Sequence, residues 1–189
     1  KEKNINSKND PIGSKLFSFS LEDSEAKVFS SKELEDKVWL ANFIFTSCPS
    51  ICPTLTKKMR RFQDEFISDS NFELVSFSVD PENDLPPKLK AYKEKYEMKA
   101  NWHLLTGAWP LIQKIIRDGF KIGAPKDPMF HSEKFVLLDK DLEIKGFYSS
   151  YSPQDIQRLR KDIKVLLLKY NKSSYSIIKK DKKKKRKTS

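Results

Sequence analysis

Apolar and polar side chains follow two different periods along this chain, and the change of period marks the predicted elements. Residues 38–45 are almost continuously apolar, which is typical of a strand that is covered on both faces. Further along, four apolar positions recur every three or four residues and predict the buried face of a helix. They are Leu55, Met59, Phe62 and Phe66. The two patterns predict a buried strand that runs through a short loop into a helix.

The same two patterns alternate along the rest of the chain. Further strands are predicted over residues 72–79, 102–106, 135–138 and 142–148. Further helices are predicted over residues 85–96, 109–116 and 153–170. Ser152, Pro153 and Asp155 resemble a capping box at the start of the last helix. Residues 16–21 and 26–29 predict an N-terminal β-hairpin.

The order of the elements predicts the fold class. Strands and helices alternate first and a hairpin follows, which favours a mixed sheet with helices on both faces. With a strand, a cysteine loop and a helix near its beginning, this order predicts an α/β domain of the thioredoxin-like type over residues 16–170. An irregular segment, residues 121–134, comes before the final hairpin and forms an insertion loop that carries His131.

The formal net charge is +11, and its distribution argues against a nucleic-acid-binding domain. Residues 179–187 hold eight basic side chains and one acidic side chain, a net +7, which leaves +4 for the remainder. No aromatic residue is interleaved with these lysines. We therefore interpret residues 171–189 as a lysine-rich, disordered tail. Residues 1–15 are polar, and we expect them to be a linker from a removed signal peptide or membrane anchor.

The two cysteines of the chain, Cys48 and Cys52, lie in the predicted loop between the buried strand and the helix. Pro53 suits the first helical position, where its missing N–H has no cost. Free N–H groups and the helix dipole at this point favour a thiolate. A separation of four residues brings the Cα atoms to within roughly 6 Å, close enough for a disulfide or for shared metal binding. The pair therefore fits disulfide exchange, attack on a peroxide or binding of a soft metal.

His131 extends the cysteine pair into a candidate metal site. It lies directly before the predicted strand at residues 135–138, and in a thioredoxin-like sheet this end of the loop lies beside the cysteine loop. Two thiolates and one imidazole favour copper(I) and accept copper(II) with one more oxygen or nitrogen ligand. Structural zinc usually takes four protein ligands. The other histidine, His103, alternates within a strand and is interpreted as a packing or surface residue.

Asp80 ends the predicted strand at residues 72–79 and points to the same edge of the sheet. One interpretation is that it hydrogen-bonds His131 or supplies a weak oxygen ligand. The other is that Asp80 and Pro81 only form a turn.

Four blocks of sequence, in order, resemble the Sco (SenC/PrrC) family of copper proteins. They are residues 38–56 with the motif CxxxCP, residues 75–84, residues 102–107 and residues 131–139. The resemblance implies a thioredoxin-like fold with one copper, as copper(I) or copper(II), on Cys48, Cys52 and His131. It also implies that Asp80 is an accessory to copper binding. The lysine-rich tail is not part of the family pattern.

The resemblance implies a metallochaperone that takes part in assembling the binuclear copper centre of cytochrome c oxidase. The expected partners are the oxidase subunit that carries this centre, and another copper chaperone or a thiol reductant. Such proteins are anchored to a membrane outside the cytoplasm. We favour a bacterial periplasm or cell surface over the mitochondrial intermembrane space, and we expect no specific nucleic acid partner.

Three alternatives to a chaperone follow from the same residues. In a thiol–disulfide oxidoreductase, Cys48 would be the exposed nucleophile and Cys52 its resolving partner. Thioredoxins, however, place a proline directly before the strand that faces the active site, whereas the nearest one here is Pro128. A peroxiredoxin needs Pro and Thr seven and three residues before its cysteine, where this chain has Ala41 and Phe45. A redox or copper sensor fits the family resemblance as well.

Overall fold

A computed structural model describes the backbone of residues 12–122 and 132–185, with side chains as far as residue 171. The strands of this part are β1 (Ser20–Asp23), β2 (Val28–Ser30), β3 (Val38–Ile44), β4 (Phe72–Ser78), β5 (Trp102–Thr106), β6 (Lys134–Leu138) and β7 (Ile144–Ser149). Its α-helices are α1 (Ile51–Phe66), α2 (Pro86–Lys95), α3 (Trp109–Lys114) and α4 (Pro153–Lys185). A 3₁₀ turn (Ser31–Leu34) follows β2, and a π-helical turn (Ile115–Gly119) continues α3.

The described strands form one mixed sheet in the order β2-β1-β5-β4-β3-β6-β7. The central strands β3, β4 and β5 are parallel, since a helix crosses over between each pair. The two hairpins extend the sheet with antiparallel strands, β6 and β7 beside β3, and β1 and β2 beside β5. The thioredoxin-like mixed sheet and the N-terminal β-hairpin are thereby confirmed.

Apolar side chains cover both faces of the sheet, which explains why β3 is buried along its whole length. On one face Phe120, just after the π-helical turn, packs against Phe43 and Phe77 with ring centroids 5.2 and 5.5 Å away. On the other face α1 packs Phe62 against Phe135 at 6.1 Å. Helices thus flank both faces, as the order of the elements predicts.

Several predicted strand limits differ from the structure, and the starts of β1 and β7 differ for clear physical reasons. β1 begins at Ser20 rather than at residue 16, because the preceding segment lies beside the β6–β7 turn, where the N–H of Leu16 donates to the carbonyl of Leu142 at 2.9 Å. β7 begins at Ile144 rather than at residue 142, because Leu142 takes a φ of 62° in the turn between the strands. A residue in this left-handed region cannot continue a strand.

The last helix begins as the sequence predicts. The Ser152 hydroxyl accepts the N–H of Asp155 at 3.1 Å, whereas the Asp155 carboxylate accepts the N–H of Ser149 at 2.8 Å instead of completing the capping box. The helical backbone continues through Lys185, past the domain limit expected at residue 170. That limit and the disorder of the tail stay predictions. Within residues 12–122 and 132–185, no helix combines the length and the apolar character that a membrane span needs.

Candidate metal centre

The cysteine loop leaves the sheet at the carboxyl end of β3. The N–H of Val79 donates to the carbonyl of Ile44 at 2.9 Å, so β3 and β4 stay paired up to this point. The N–H of Cys48 donates to the carbonyl of Phe45 at 3.2 Å, which closes a tight turn. α1 then begins at Ile51, so Cys52 is its second residue. Pro53 is therefore the third residue of α1, whereas the sequence predicts it at the first position.

The sulphur of Cys48 takes the place of a capping side chain at the start of α1. Ser50, at the N-cap position, makes no side-chain capping hydrogen bond. Instead, the N–H of Cys52 points at the Cys48 sulphur at 3.4 Å, and the N–H groups of Ser50 and Ile51 also face it. The helix start thereby turns its unpaired donors toward one thiol.

These donors make the Cys48 thiol more acidic than the Cys52 thiol. Burial raises the pKa of Cys48, but the three N–H groups and the Cys52 thiol together outweigh burial and hold this pKa below its ordinary value. Burial raises the pKa of Cys52 to about 12, against the opposing N–H of Phe45. The negative charges of Cys48 and Asp84 add to this rise. Cys48 is therefore the thiol of the pair that loses its proton first.

Both cysteines are free thiols, and their side chains interact directly. The exposed fractions are 6% for Cys48 and 3% for Cys52, so Cys48 is nearly as buried as its neighbour. Two adjacent sulphurs, one of which forms a thiolate readily, make a soft donor pair of the kind that binds copper(I) or zinc.

His131 lies outside the described residues, and its role as a ligand stays a prediction. The backbone resumes at Ser132, which is buried and whose hydroxyl accepts the N–H of Lys134 at 3.3 Å. The antiparallel register of β6 against β3 pairs Val136 with Ala41, so β6 begins at the end of β3 from which the cysteine loop departs. Among the described residues, no three His, Cys, Asp or Glu side chains are grouped as a metal site.

Asp80 lies at the same end of the sheet and is half-buried. Its carboxylate accepts hydrogen bonds from the side-chain amide of Asn83 at 2.8 and 3.1 Å, and its N–H donates to the Ser78 hydroxyl at 3.1 Å. In the structure Asp80 thus stabilises the turn after β4. An accessory role in copper binding stays a prediction.

A different carboxylate, Asp84, reaches the cysteine loop, and the sequence analysis did not single it out as a site residue. Asp84 is completely buried and accepts the N–H of Thr46 at 3.0 Å and the hydroxyl of the same residue. It also accepts the Ser78 hydroxyl at 2.8 Å, and Lys88 lies 3.9 Å away. Asp80 and Asp84 share one acidic segment, so only the fold reveals which of the two turns inward.

The histidine that the sequence analysis set aside is accounted for by packing. The His103 ring lies 4.6 Å from the Phe29 ring, and its Nε2 is 3.2 Å from the Glu73 carboxylate. These contacts lie within the sheet, away from the cysteine loop.

Comparison with known proteins identifies the family of this chain. The model of the SCO1/SenC family matches residues 8–168. A SCO1 protein homolog from Bacillus subtilis is 32% identical over 162 residues, which are 82% of this chain and 84% of that protein. The crystal structure of a SCO1/SenC family lipoprotein from Bacillus anthracis superposes with a TM-score of 0.73 at 33% identity, covering 85% of this chain and 99% of the other.

Other similar proteins concern redox chemistry and copper. BsSco, a member of the Sco family of cytochrome c oxidase assembly proteins in which a disulfide switch was identified, superposes with a TM-score of 0.71 at 31% identity, over 84% of this chain and 96% of its own. A putative copper-binding protein from Stutzerimonas stutzeri is 29% identical over 137 residues, 67% of this chain and 65% of that protein. The copper-bound ScoI of Arabidopsis thaliana shares the fold, with a TM-score of 0.65 at 24% identity over 80% and 99% of the two chains. The sequence and the fold agree, and this chain belongs to the SCO1/SenC family.

Proposed function

We propose that this protein is a copper metallochaperone that takes part in assembling the binuclear copper centre of cytochrome c oxidase. It binds one copper ion per chain through Cys48, Cys52 and His131. The observation that carries the proposal is the reduced cysteine pair at the start of α1, in which three N–H groups face the Cys48 sulphur. The copper-binding members among the similar proteins support the choice of metal.

The two thiols have different tasks in metal capture. Cys48 loses its proton more readily than an ordinary cysteine, because the N–H groups around it stabilise the negative charge. Cys52 keeps its proton near neutral pH and must release it to become a ligand. Copper affinity should therefore fall as the pH falls. Oxidation to a Cys48–Cys52 disulfide removes both thiolates and prevents binding.

The small number of protein ligands allows the copper ion to be passed to an acceptor protein. Three ligands leave room for a ligand of the acceptor protein to bind the metal before all the old ligands have left. Transfer then proceeds by ligand exchange without a free ion. The expected acceptor is the oxidase subunit that carries the binuclear copper site, and another copper chaperone is the expected donor. We place the domain outside the cytoplasm on a membrane anchor, which the lipoprotein character of the Bacillus anthracis relative supports.

The difference in acidity between the two thiols also favours a second function, that of a thiol–disulfide reductase for the cysteines of the target. The Cys48 thiolate would attack one sulphur of a target disulfide and release the other sulphur as a thiolate. Cys52, once deprotonated, would then attack the Cys48 sulphur, form the Cys48–Cys52 disulfide and release the reduced target. Two electrons pass to the target, and an external thiol reductant must restore the pair.

Anaerobic titration of the reduced protein with copper(I) and with copper(II) tests the proposal. The wild type should bind one copper per chain, and His131→Ala should weaken binding by roughly tenfold or more, as expected for the loss of a metal ligand. His103→Ala is the matched control, because it removes the only other histidine of the chain and should leave the affinity unchanged. Equally poor binding by the wild type and both variants, with a pair that still exchanges disulfides readily, would reject the chaperone and leave the reductase.

A further inference from the structure

A buried negative charge lies beside the cysteine pair and has no part in the proposed ligand set. The Asp84 carboxylate is inaccessible to solvent and faces hydrogen-bond donors. The N–H of Thr46 can only donate. The Ser78 hydroxyl accepts the N–H of Asp80 at 3.1 Å, so its own proton is directed at Asp84, 2.8 Å away. These groups donate to Asp84, so its oxygens serve as hydrogen-bond acceptors.

Consecutive peptide groups connect this charge to the metal-binding sulphurs. The N–H of Phe45 faces the sulphur of Cys52, and the next N–H, that of Thr46, donates to Asp84 at 3.0 Å. The pKa of Cys52 is raised mainly by burial and to a lesser extent by the negative charges of Cys48 and Asp84. The nearest cation, the half-exposed Lys88 at 3.9 Å, neutralises Asp84 only in part, since solvent screens it.

We propose that Asp84 sets the balance between the two oxidation states of bound copper and favours copper(II) over copper(I). This inference rests on the proposed function. Two thiolates and a neutral imidazole form a site without net charge around copper(II) and a site with one net negative charge around copper(I). The buried carboxylate repels the second state and leaves the first almost unaffected. The low dielectric of the interior strengthens this difference.

The quantity to measure is the ratio of the copper(I) and copper(II) dissociation constants of one protein. Both constants refer to the same metal-free protein, so a general loss of stability or a change in thiol acidity cancels in the ratio. Two unit charges several ångströms apart inside a protein interact strongly enough to change an equilibrium constant roughly tenfold or more. Asp84→Asn should therefore shift the ratio roughly tenfold toward copper(I), which corresponds to about 59 mV for one electron.

The experiment is anaerobic competition against a chelator of known affinity, separately for each oxidation state. Ser78→Ala is the matched control, because it removes one hydrogen bond to Asp84 and leaves the charge in place. Its ratio should change by less than about threefold. An unchanged ratio in Asp84→Asn, or an equal shift in Ser78→Ala, overturns the inference, since the latter would show that loop position rather than charge sets the ratio.

Lys88→Gln supplies a test that does not depend on the folding of a core variant. Lys88 is half-exposed, and its loss leaves the charge of Asp84 less compensated. The ratio should then move the other way, toward copper(II), by a smaller factor of about two or three, because an exposed cation is screened. No shift, or a shift toward copper(I), overturns the inference. A wild type that binds no copper rejects the proposed function itself, whereas normal wild-type binding without these shifts rejects this inference alone.

Discussion

The unequal acidity of the two thiols predicts unequal chemical reactivity in the metal-free protein. The perturbation is alkylation of the reduced protein by iodoacetamide near pH 7.5. We expect the reagent to modify Cys48 rapidly and Cys52 slowly, because only the thiolate form of cysteine reacts. Both cysteines have little exposed surface, and Cys52 is the less exposed of the two, so access adds to the difference in rate.

The size of the difference follows from the pKa of Cys52, which burial raises to about 12. Relative to an ordinary cysteine with a pKa of about 8.5, the thiolate fraction of Cys52 is lower by roughly three orders of magnitude at this pH. A more basic thiolate is also more nucleophilic, which recovers nearly half of this loss on a logarithmic scale. Cys48 has a pKa below its ordinary value. Cys48 should therefore react roughly a hundredfold faster than Cys52.

Peptide mass spectrometry after quenched alkylation gives both rates in one sample. Cys48→Ala should accelerate the alkylation of Cys52, because the variant removes a negative charge that raises the pKa of Cys52. Cys52→Ala is the matched variant and keeps the N–H groups that face Cys48. Equal rates for the two cysteines in the wild type, or faster modification of Cys52, would refute the reasoning from the N–H donors at the start of α1.

Two further predictions concern stability and domain limits. Burial opposes the charge of Asp139, but Lys145 at 2.8 Å and the N–H groups of Asp141 and Glu143 outweigh burial and hold the pKa of Asp139 below its ordinary value. This stabilisation is complete above the ordinary pKa of an aspartate and is lost as the pH falls through the lower pKa of the folded state. Asp139→Asn should therefore lower the free energy of unfolding by about 1–3 kcal/mol near neutral pH. In acid the loss should be smaller. Urea denaturation at several pH values measures this, and a difference that grows in acid would contradict it. Removal of residues 172–189 keeps the hydrogen bonds of Asn171 to Asp69 and Asn71. It should leave the copper affinity unchanged and the unfolding free energy within about 0.5 kcal/mol, because this segment lies beyond the predicted domain; a larger loss in denaturant titration would place it within the folded unit.

The sequence predicts the sheet well because its central strand leaves little choice. Residues of β3 are apolar at nearly every position, as expected for a short strand covered on both faces. The beginning of α1 could not be read in the same way. Pro53 suits the first turn of a helix at more than one position, and the structure starts the helix at Ile51, so that consecutive N–H groups can converge on the Cys48 sulphur.

The surroundings of the cysteines are less accessible to sequence reasoning than the cysteines themselves. Cys48 and Cys52 are found by their spacing and by the junction they occupy. Asp84 is hidden from such an argument, since its partner Thr46 is 38 positions away in sequence and an equally acidic neighbour, Asp80, ends the strand more conspicuously. Only the parallel pairing of β3 with β4 brings the loop that holds Asp84 against Thr46.

X-ray absorption spectroscopy of the protein loaded anaerobically with one equivalent of copper(I) identifies the atoms that bind the metal and so tests the proposed copper site. We expect two sulphur ligands and one imidazole nitrogen, with the nitrogen lost in His131→Ala and kept in His103→Ala. A copper environment without both sulphurs, or one that is identical in the wild type and in His131→Ala, would contradict the proposed site.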